Sequence, residues 1–556
     1  MIDITWTDAK YQVVTVLTGL RLQAVEAPPH SSTQWLHRVV WQHQPRPRIP
    51  GEFLVAPDKV RDAISPQFTQ LIQQPDFLTY QRLQPGLNNL ATAYVMQAFS
   101  RLGWTPQQGK SFSSAGLAQT LEISAKHHKL FERCLALLHE ADILTQTNGQ
   151  WQVTGKLLQR SVQELERQLQ QQPLLEAEMA LLQRCGANLA TVFQGETNPL
   201  ALLFPQGDLT ALTQLYRTSV GASVMNQLLQ MALTQAIAHA PHQRPLRILE
   251  IGAGTGGTTT QLLPLLAALD QAISYVFTDI SPRFTTVAQE NFGRFPFVDY
   301  ALLDIEASPT AQGFDANFDL VIAANVLHAT ADIHQTLGHV SELLAPGGQL
   351  MLLEGTVPVG WIDLIFGLTP GWWKFTDRDL RPDHPLLAVE PWQAVLQANG
   401  FDTVTALKPE NDIKLAQSVI IAQTNSIRAK RWLVTGEVST AHIISDLLTT
   451  KGQLAEIVAY GDLNLDQSSD FDSLVYVLPK TASEILVLTS NDICQELLSL
   501  VRMLNQLSHP PQLYLVSADN SPESQLSYAP LWGMVQTLQL EHPELRCIRL
   551  QTDTYD

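Results

Sequence analysis

The sequence predicts an α/β protein made of two successive doubly wound units, the first carrying a mostly helical segment ahead of its sheet. Three observations predict this. Between residues 246 and 355, short apolar runs alternate with helix-like segments, reading LRILEIGAGTGG (246–257), SYVFTDIS (274–281), ALLDIE (301–306), FDLVIAA (318–324) and QLMLLEG (349–355). Runs that are apolar without alternation are strands of a parallel sheet covered on both faces. Residues 58–230 instead carry apolar stripes at helical spacing. From residue 430 the strand–helix alternation resumes, with runs at 430–435, 474–478, 512–517 and 545–550.

The totals bound the answer. A chain of 556 residues exceeds one ordinary domain. A hydrophobic content of 45% with 16% charged residues describes core-forming protein. The net charge of −18 argues against nucleic-acid binding, which needs a basic face. Cys134, Cys185, Cys494 and Cys547 form no CxxC pair, as expected of reduced thiols rather than a disulfide frame or zinc site. The opening MIDITWTDAK lacks a signal-peptide core, and no apolar run reaches membrane-spanning length. A soluble, cytoplasmic protein is expected. Both ends fall in strand-like sequence, which reads as a piece cut from a larger polypeptide.

In chain order, residues 3–25 alternate around Asp8-Ala9-Lys10 and predict a hairpin. Ala27 to Ser32 is a linker by composition. QWLHRVVWQ (34–42) is a lone strand, ended by the proline-arginine segment 45–50. Helical stripes follow at 88–102 and 129–144. The second is succeeded by an Asn148-Gly149 turn and Gln150–Val153, an arrangement like a winged helix that here reads as a packing module. Residues 157–182 predict a solvated amphipathic helix broken at Pro173.

Leu246–Gly257 is the stretch that points to chemistry. Glycines after a strand permit backbone angles closed to other residues and let a ligand touch the main chain, and the next helix offers free N–H groups. Gly252, Gly254 and Gly257 satisfy the dinucleotide pattern GxGxxG. Glu250, Gly252, Gly254 and Gly256 equally satisfy ExGxGxG, a pattern of S-adenosylmethionine enzymes, and a close-packed turn without ligand is a third reading. Asp279 closes the second strand, where a carboxylate can accept ribose hydroxyls. Asp304 closes the third, where an adenine amine would be expected; the simpler alternative for either acid is a helix cap. His328 follows the fourth strand and Glu354 ends the fifth, so adjacent strand ends can bring them together. His334 and His339 are five apart and off a shared helical face, so no metal site is expected. Tyr216 lies shortly before the glycine turn, placed to cover the site if its segment forms a lid; the simpler reading is a half-buried aromatic.

LEIGAGTGG, YVFTDIS, LLDIE, AANVLHAT and LAPGGQLMLLEG, in this order, resemble the C-methyltransferase domains of modular polyketide synthases over about residues 56–425. A dehydrogenase does not explain an acid two residues before the first glycine together with the NVLHAT and LLEG segments. The resemblance implies a class I (Rossmann-like) methyltransferase core with a helical N-terminal lid. It implies S-adenosylmethionine as cofactor, held by Glu250, Gly252, Gly254, Gly256, Asp279, Asp304, Ile305 and Asn325. It also implies a catalytic pair of His328 and Glu354, with Tyr216 as a third group. The expected reaction methylates the α-carbon of a β-ketoacyl group carried on the phosphopantetheine of an acyl carrier protein, beside neighbouring synthase domains. The alternatives are an O-methyltransferase on a similar tethered substrate and a non-catalytic scaffold.

Trp361, Phe366, Trp372, Trp373 and Phe375 either wall an acyl tunnel or form the core of an inserted helix. Lys374, Arg378 and Arg381 read as a solvated basic face, with docking of a pantetheine phosphate or acidic carrier as the alternative. In the last unit, Gly436-Glu437-Val438-Ser439 stands where a dinucleotide site would need GxGxxG, and LWGMVQTLQLEHPELRCIRL (531–550) resembles the structural half of a polyketide-synthase ketoreductase. The resemblance pairs that unit with the strand at 34–42 and likens the first 25 residues to the end of a dehydratase. The expected divisions are 1–33 (dehydratase-like tail and linker), 34–55 (first strand of a pseudo-ketoreductase), 56–230 (lid), 231–425 (methyltransferase core) and 426–556 (the Rossmann-like pseudo-ketoreductase).

Overall fold

A computed structural model describes residues 2–7, 13–20, 50, 53–425 and 431–551, apart from 157, 241–244, 315–316, 410–414, 451–452, 464, 466–470, 480–485, 508–509, 518–521 and 543–544. The expected strand at 34–42, the linker at 27–32 and the boundaries at 33 and 426 lie outside the described residues. The chain divides into two compact units, His43–Ser426 and Met1–Gln42 with Ile427–Asp556. Among the described residues no helix is long and apolar enough to cross a membrane.

The chain opens on the predicted hairpin, β1 (Ile2–Thr7) and β2 (Val13–Leu20), which pair antiparallel. The helical segment follows: α1 (Pro57–Ile72), α2 (Pro75–Arg101), β3 (Ser111–Phe112), α3 (Ser114–Thr120), α4 (His128–Glu140), β4 (Leu144–Thr147), β5 (Gln150–Val153), α5 (Val162–Gln170), α6 (Glu176–Ala187), α7 (Leu189–Phe193), α8 (Pro199–Leu203), α9 (Thr210–Arg217) and α10 (Val220–Ala236). In α1, Val60, Ile64, Phe68 and Leu71 are buried, the i, i+4 stripe that binds an amphipathic helix to a core. α5 starts on a reciprocal cap between Ser161 and Glu164 and ends before Pro173, at the predicted break. The stripe at 129–144 divides sooner than expected. α4 stops at Glu140, Asp142 takes a left-handed φ of 60°, and Leu144 begins β4. β3, β5 and β4 form the small sheet, its tip at Asn148 and Gly149, both left-handed as a tight hairpin turn requires. The expected boundary at residue 230 falls inside α10.

The core contributes β6 (Leu246–Ile251), α11 (Gly257–Ala267), β7 (Ile273–Asp279), α12 (Pro282–Phe292), β8 (Val298–Leu302), β9 (Phe318–Ala324), α13 (Ile333–Leu343), β10 (Leu344–Gly355), α14 (Gly360–Phe366), α15 (Val389–Ala398), β11 (Phe401–Ala406) and β12 (Gln417–Thr424). Two boundaries differ from the sequence reading. The third strand lies at 298–302, so Asp304 sits beyond its end, and the strand read at 349–355 begins already at Leu344, taking in LAPGG directly after α13. The sheet order is β11-β12-β10-β9-β6-β7-β8, with β12 antiparallel to both β10 and β11 and the other five strands parallel. Ile248, Leu320, Ile322, Met351 and Leu353 join the cluster shared with the helical segment. Leu249, Val321, Ala323, Leu350 and Leu352 face the opposite layer with Leu337, Trp392 and Leu396. Both faces are covered, which is why these strands read as unbroken apolar runs.

The second unit holds β13 (Arg431–Gly436), α16 (Val438–Thr450), β14 (Leu454–Ile457), β15 (Ser473–Val477), α17 (Leu486–Leu504), β16 (Gln512–Ser517), α18 (Pro522–Glu541) and β17 (Ile548–Gln551). Its parallel sheet runs β14-β13-β15-β16-β17. β14, which the sequence reading missed, is a four-residue strand exposed or half-exposed throughout. At the turn after β13, Glu437 accepts from the backbone N–H groups of Ser439 and Thr440 and from the Ser439 hydroxyl. These bonds hold its carboxyl down to about 2.

Candidate active site

β6 lies between β9 and β7, so successive connections leave it in opposite directions and open a crevice at the carboxyl ends of β6 and β9. The glycine turn fills its floor. Gly252, Gly254 and Gly256 have φ of 56°, 55° and 73°, angles at which a side chain is strained. A Cβ on Gly252 would meet Val326 Cγ2 at 2.3 Å, whereas one on Gly254 would meet nothing nearer than 3.9 Å. The first glycine therefore lets the β9 loop approach, and the second leaves open backbone. A cavity of about 680 Å³ rises from this floor.

His328 and Glu354 meet in that cavity's wall. β9 and β10 are neighbours with Ala324 opposite Leu353, so the loop after β9 passes the end of β10. His328 Nδ1 lies 2.6 Å from Glu354 Oε2. Glu354 Oε1 accepts the backbone N–H groups of Val326 (3.1 Å), Leu327 (2.8 Å) and His328 (3.3 Å). A carboxylate only accepts, so Nδ1 is the donor, and in the neutral ring the lone pair lies on Nε2. Glu354 is 0% exposed, while His328 lines the cavity with Trp372 edge-on at 5.2 Å.

Tyr216 lines the same cavity, its ring 6.0 Å from Phe366. Burial, and then the negative charge of Glu354, push its hydroxyl well above the usual tyrosine range. Its carbonyl is held by Asn226 Nδ2 at 3.1 Å, and Asn226 Oδ1 accepts from Thr258 at 2.9 Å. Thr258 is in the first turns of α11, so the Tyr216 backbone is wired through Asn226 to the glycine-turn helix. Asn325 takes a left-handed φ of 53° and accepts from Gln417 Nε2 at 3.0 Å. Both amides line the cavity. A non-glycine residue at that angle marks local strain of the kind that clusters at functional sites.

Glu250 is buried at the cavity floor, where Oε2 accepts from Thr259 and from Tyr275, each at 2.6 Å. Burial pushes its carboxyl up to about 7. Asp279 accepts the N–H of Gly254 (3.0 Å) and of Ser281 (2.8 Å), and burial raises its carboxyl. Asp304 accepts the N–H of Glu306, and the Ile305 carbonyl is bonded to His339 Nδ1. Gly256, Asp279, Asp304 and Ile305 lie outside the lining of the cavity. His334 bonds to the Asn399 amide.

Of the five aromatic residues, Trp361, Phe366 and Trp372 line the cavity, while Trp373 and Phe375 are buried core outside its lining. The solvated basic face holds for Lys374 and Arg378, which are exposed, and fails at Arg381, which is buried. Lys374 pairs with Glu306, Arg378 donates to the Pro382 carbonyl, and Arg381 is 1% exposed. Arg381 holds Asp377 through two bonds and donates to the carbonyls of His328, Thr330 and Ala331. Sequence reasoning missed Arg381, Asn226 and Gln417 as site residues. The density of charges around 374–381 was a signal, but nothing in it tells a buried guanidinium from an exposed one.

A family model described as a methyltransferase domain matches residues 249–350. The chain is similar to the solved CurJ carbon methyltransferase, at 42% identity over 67% of this chain and 100% of that one, with a TM-score of 0.63. It is also similar to the CMeT domain of the citrinin polyketide synthase, at 28% identity over 67% and 99%, with a TM-score of 0.61. Among whole proteins, citrinin polyketide synthase of Monascus ruber is 32% identical over 362 residues, 63% of this chain. This chain spans 13% of that relative's length.

Proposed function

Because the chain belongs to the carbon methyltransferase family of polyketide synthases, we propose that it methylates the α-carbon of a β-ketoacyl thioester carried on an acyl carrier protein, with S-adenosylmethionine as methyl donor. The observation that carries this reading is the His328–Glu354 pair, with Nδ1 bonded at 2.6 Å on a ring whose residue lines the cavity, which leaves Nε2 as the candidate base.

The residues present fit the cofactor. The open space beside Gly254, the start of α11 and the Asn325 amide nitrogen, which meets no acceptor among the described residues, suit a charged amino-acid group. Asp279 at the end of β7, with Asp304 and Ile305 just beyond β8, suits a nucleoside. When bound, the cofactor supplies an electrophilic methyl on sulfur. The chain's own residues make the nucleophile. A carbon between two carbonyls is acidic, so Nε2 of neutral His328 removes its proton. Glu354 keeps the imidazole in that tautomer and stabilises the imidazolium, as the acid does in a Ser-His-Asp triad. Tyr216 holds its proton and donates to the developing enolate oxygen. Trp361, Phe366 and Trp372 keep water from the enolate and steer the acyl chain.

The unit at 427–556 reads as the cofactor-free structural half of a ketoreductase, which the resemblance pairs with the strand at 34–42; residues 43–55, expected with it, fall in the other unit, where Phe53 and Leu54 join the core. Its support is Glu437, whose own carboxylate fills the helix N-terminus that a dinucleotide phosphate would need. The deciding experiment incubates the chain with cofactor and a carrier-bound β-ketoacyl substrate, and locates the new methyl by NMR. A C–CH3 signal supports the reading. A methoxy signal turns it into an O-methyltransferase, and no cofactor binding by calorimetry turns it into a scaffold.

A further inference from the structure

We propose that Arg381 is a positioning residue for the His328 base, an inference that rests on the reading above. The loop 326–331 is gripped from two sides by opposite charges. Glu354 takes its N–H groups at 326, 327 and 328. Arg381 takes its carbonyls, through Nη1 to His328 at 2.8 Å and through Nη2 to Thr330 at 2.9 Å and Ala331 at 3.2 Å. The remaining face of the guanidinium is closed by Asp377, at 2.7 Å from Nε and 2.9 Å from Nη2. Asp377 Oδ2 also accepts the N–H of Ile333 at 3.0 Å, which anchors the assembly to the start of α13. His328 is thus fixed at its ring and its N–H by Glu354, and at its carbonyl by Arg381.

Chemistry favours a geometric role over a stabilising one. A buried ion pair gains little net stability over apolar residues of the same volume, because both charges are desolvated. A rigid fork with five N–H donors can span a carboxylate and three carbonyls at once, which the compact ammonium of lysine cannot. A base displaced by a fraction of an ångström loses reach to the α-proton without any change in what binds.

The test compares wild type with Arg381→Lys and with the double variant Asp377→Leu/Arg381→Met, which leaves no buried charge unpaired. Steady-state turnover is measured on a carrier-bound β-ketoacyl substrate at saturating cofactor. The low-field Nδ1 proton of His328 is followed by NMR on histidine-labelled protein and assigned by its loss in His328→Gln. The expected result is a fall in kcat of about a hundredfold in both variants, with KM and cofactor Kd within about threefold, and a shifted or broadened Nδ1 signal. A folded double variant with wild-type kcat and an unmoved Nδ1 signal would overturn the proposal. So would loss of folding in both variants, which would make the pair a structural requirement only. If wild type itself fails to methylate carbon, the proposed function fails, and the Nδ1 signal still decides whether Arg381 positions the ring.

Discussion

Glu354 binds His328 twice. Oε2 meets the ring at Nδ1, 2.6 Å away, and Oε1 accepts the same residue's backbone N–H at 3.3 Å while also holding Val326 and Leu327. One carboxylate therefore sets the path of the loop and the tautomer of the ring it carries. Every one of those four contacts is a donor pointing at an oxygen, so the site has room for an acceptor and none for a donor.

Glu354→Gln follows from this. A carboxamide nitrogen must face either the three backbone N–H groups or the imidazole N–H, and both are donors. The ring loses its orientation or its tautomer. The expected outcome is a fall in kcat of about a thousandfold, with cofactor affinity by calorimetry within about threefold of wild type. His328→Ala should fall to a similar level, and the double variant little further, because the two groups act as one unit. Independent, multiplying losses would show that they do not form a pair.

Tyr216→Phe removes a hydroxyl while leaving the ring against Phe366. Because burial and the Glu354 charge raise the tyrosine's pKa, the proposed role of the hydroxyl is that of a donor that keeps its proton. The variant should lose about tenfold to a hundredfold in kcat, with KM nearly unchanged. The shape of its pH–rate profile should match wild type. A wild-type alkaline limb that vanishes in Tyr216→Phe would mean that the hydroxyl titrates and works as a base.

What was legible in the sequence follows from local physics. Four of the core strands could be read because both faces are buried, whereas β8, at the sheet edge with Asp299 and Leu302 exposed, reads three residues late. The meeting of His328 with Glu354 could be read because residues at the carboxyl ends of adjacent parallel strands converge. Long-range polar contacts could not. Arg381 acts on carbonyls about fifty residues upstream, and its neighbours Lys374 and Arg378, alike in sequence, stay at the surface or at its edge. Asn226 looks like any polar residue on a helix until α10 packs on α11. β14 hides for the opposite reason, since a short edge strand with exposed Leu454 lacks the buried run that marks the others.

Gly257 illustrates how a motif can mislead by position. It completes GxGxxG, yet a Cβ there would meet the carbonyl oxygen of Tyr216 at 2.7 Å. The glycine serves the lid, which packs its tyrosine turn onto the first residue of α11. Gly257→Ala should push that turn away and lower kcat by tenfold or more through Tyr216, with a fall in melting temperature. Gly254→Ala, whose methyl enters the space proposed for the cofactor at a strained φ, should cost about 1–2 kcal/mol in stability and weaken cofactor binding, while leaving the Tyr216 environment unchanged. An unaltered Tyr216 environment by fluorescence in Gly257→Ala would separate that tyrosine turn from Gly257.

Glu250 gives the chain a pH dependence whose sign is fixed. Burial raises its carboxyl from an ordinary 4.5 to about 7, so between those values the folded chain keeps a proton that the unfolded chain has released. The unfolded state then binds fewer protons, and stability falls as pH rises. The contribution is whole below about 4.5, declines through about 7 and is flat above. The span amounts to about 3 kcal/mol at most. Glu250→Gln keeps an oxygen for the hydroxyls of Thr259 and Tyr275 and has nothing to ionise. Its melting temperature should therefore gain on wild type from pH 5 to about pH 7 and hold that gain to pH 8 in the absence of cofactor. A gap that stays constant over that range would mean that Glu250 is already ionised in the folded chain, and that the hydroxyls of Thr259 and Tyr275 outweigh its burial.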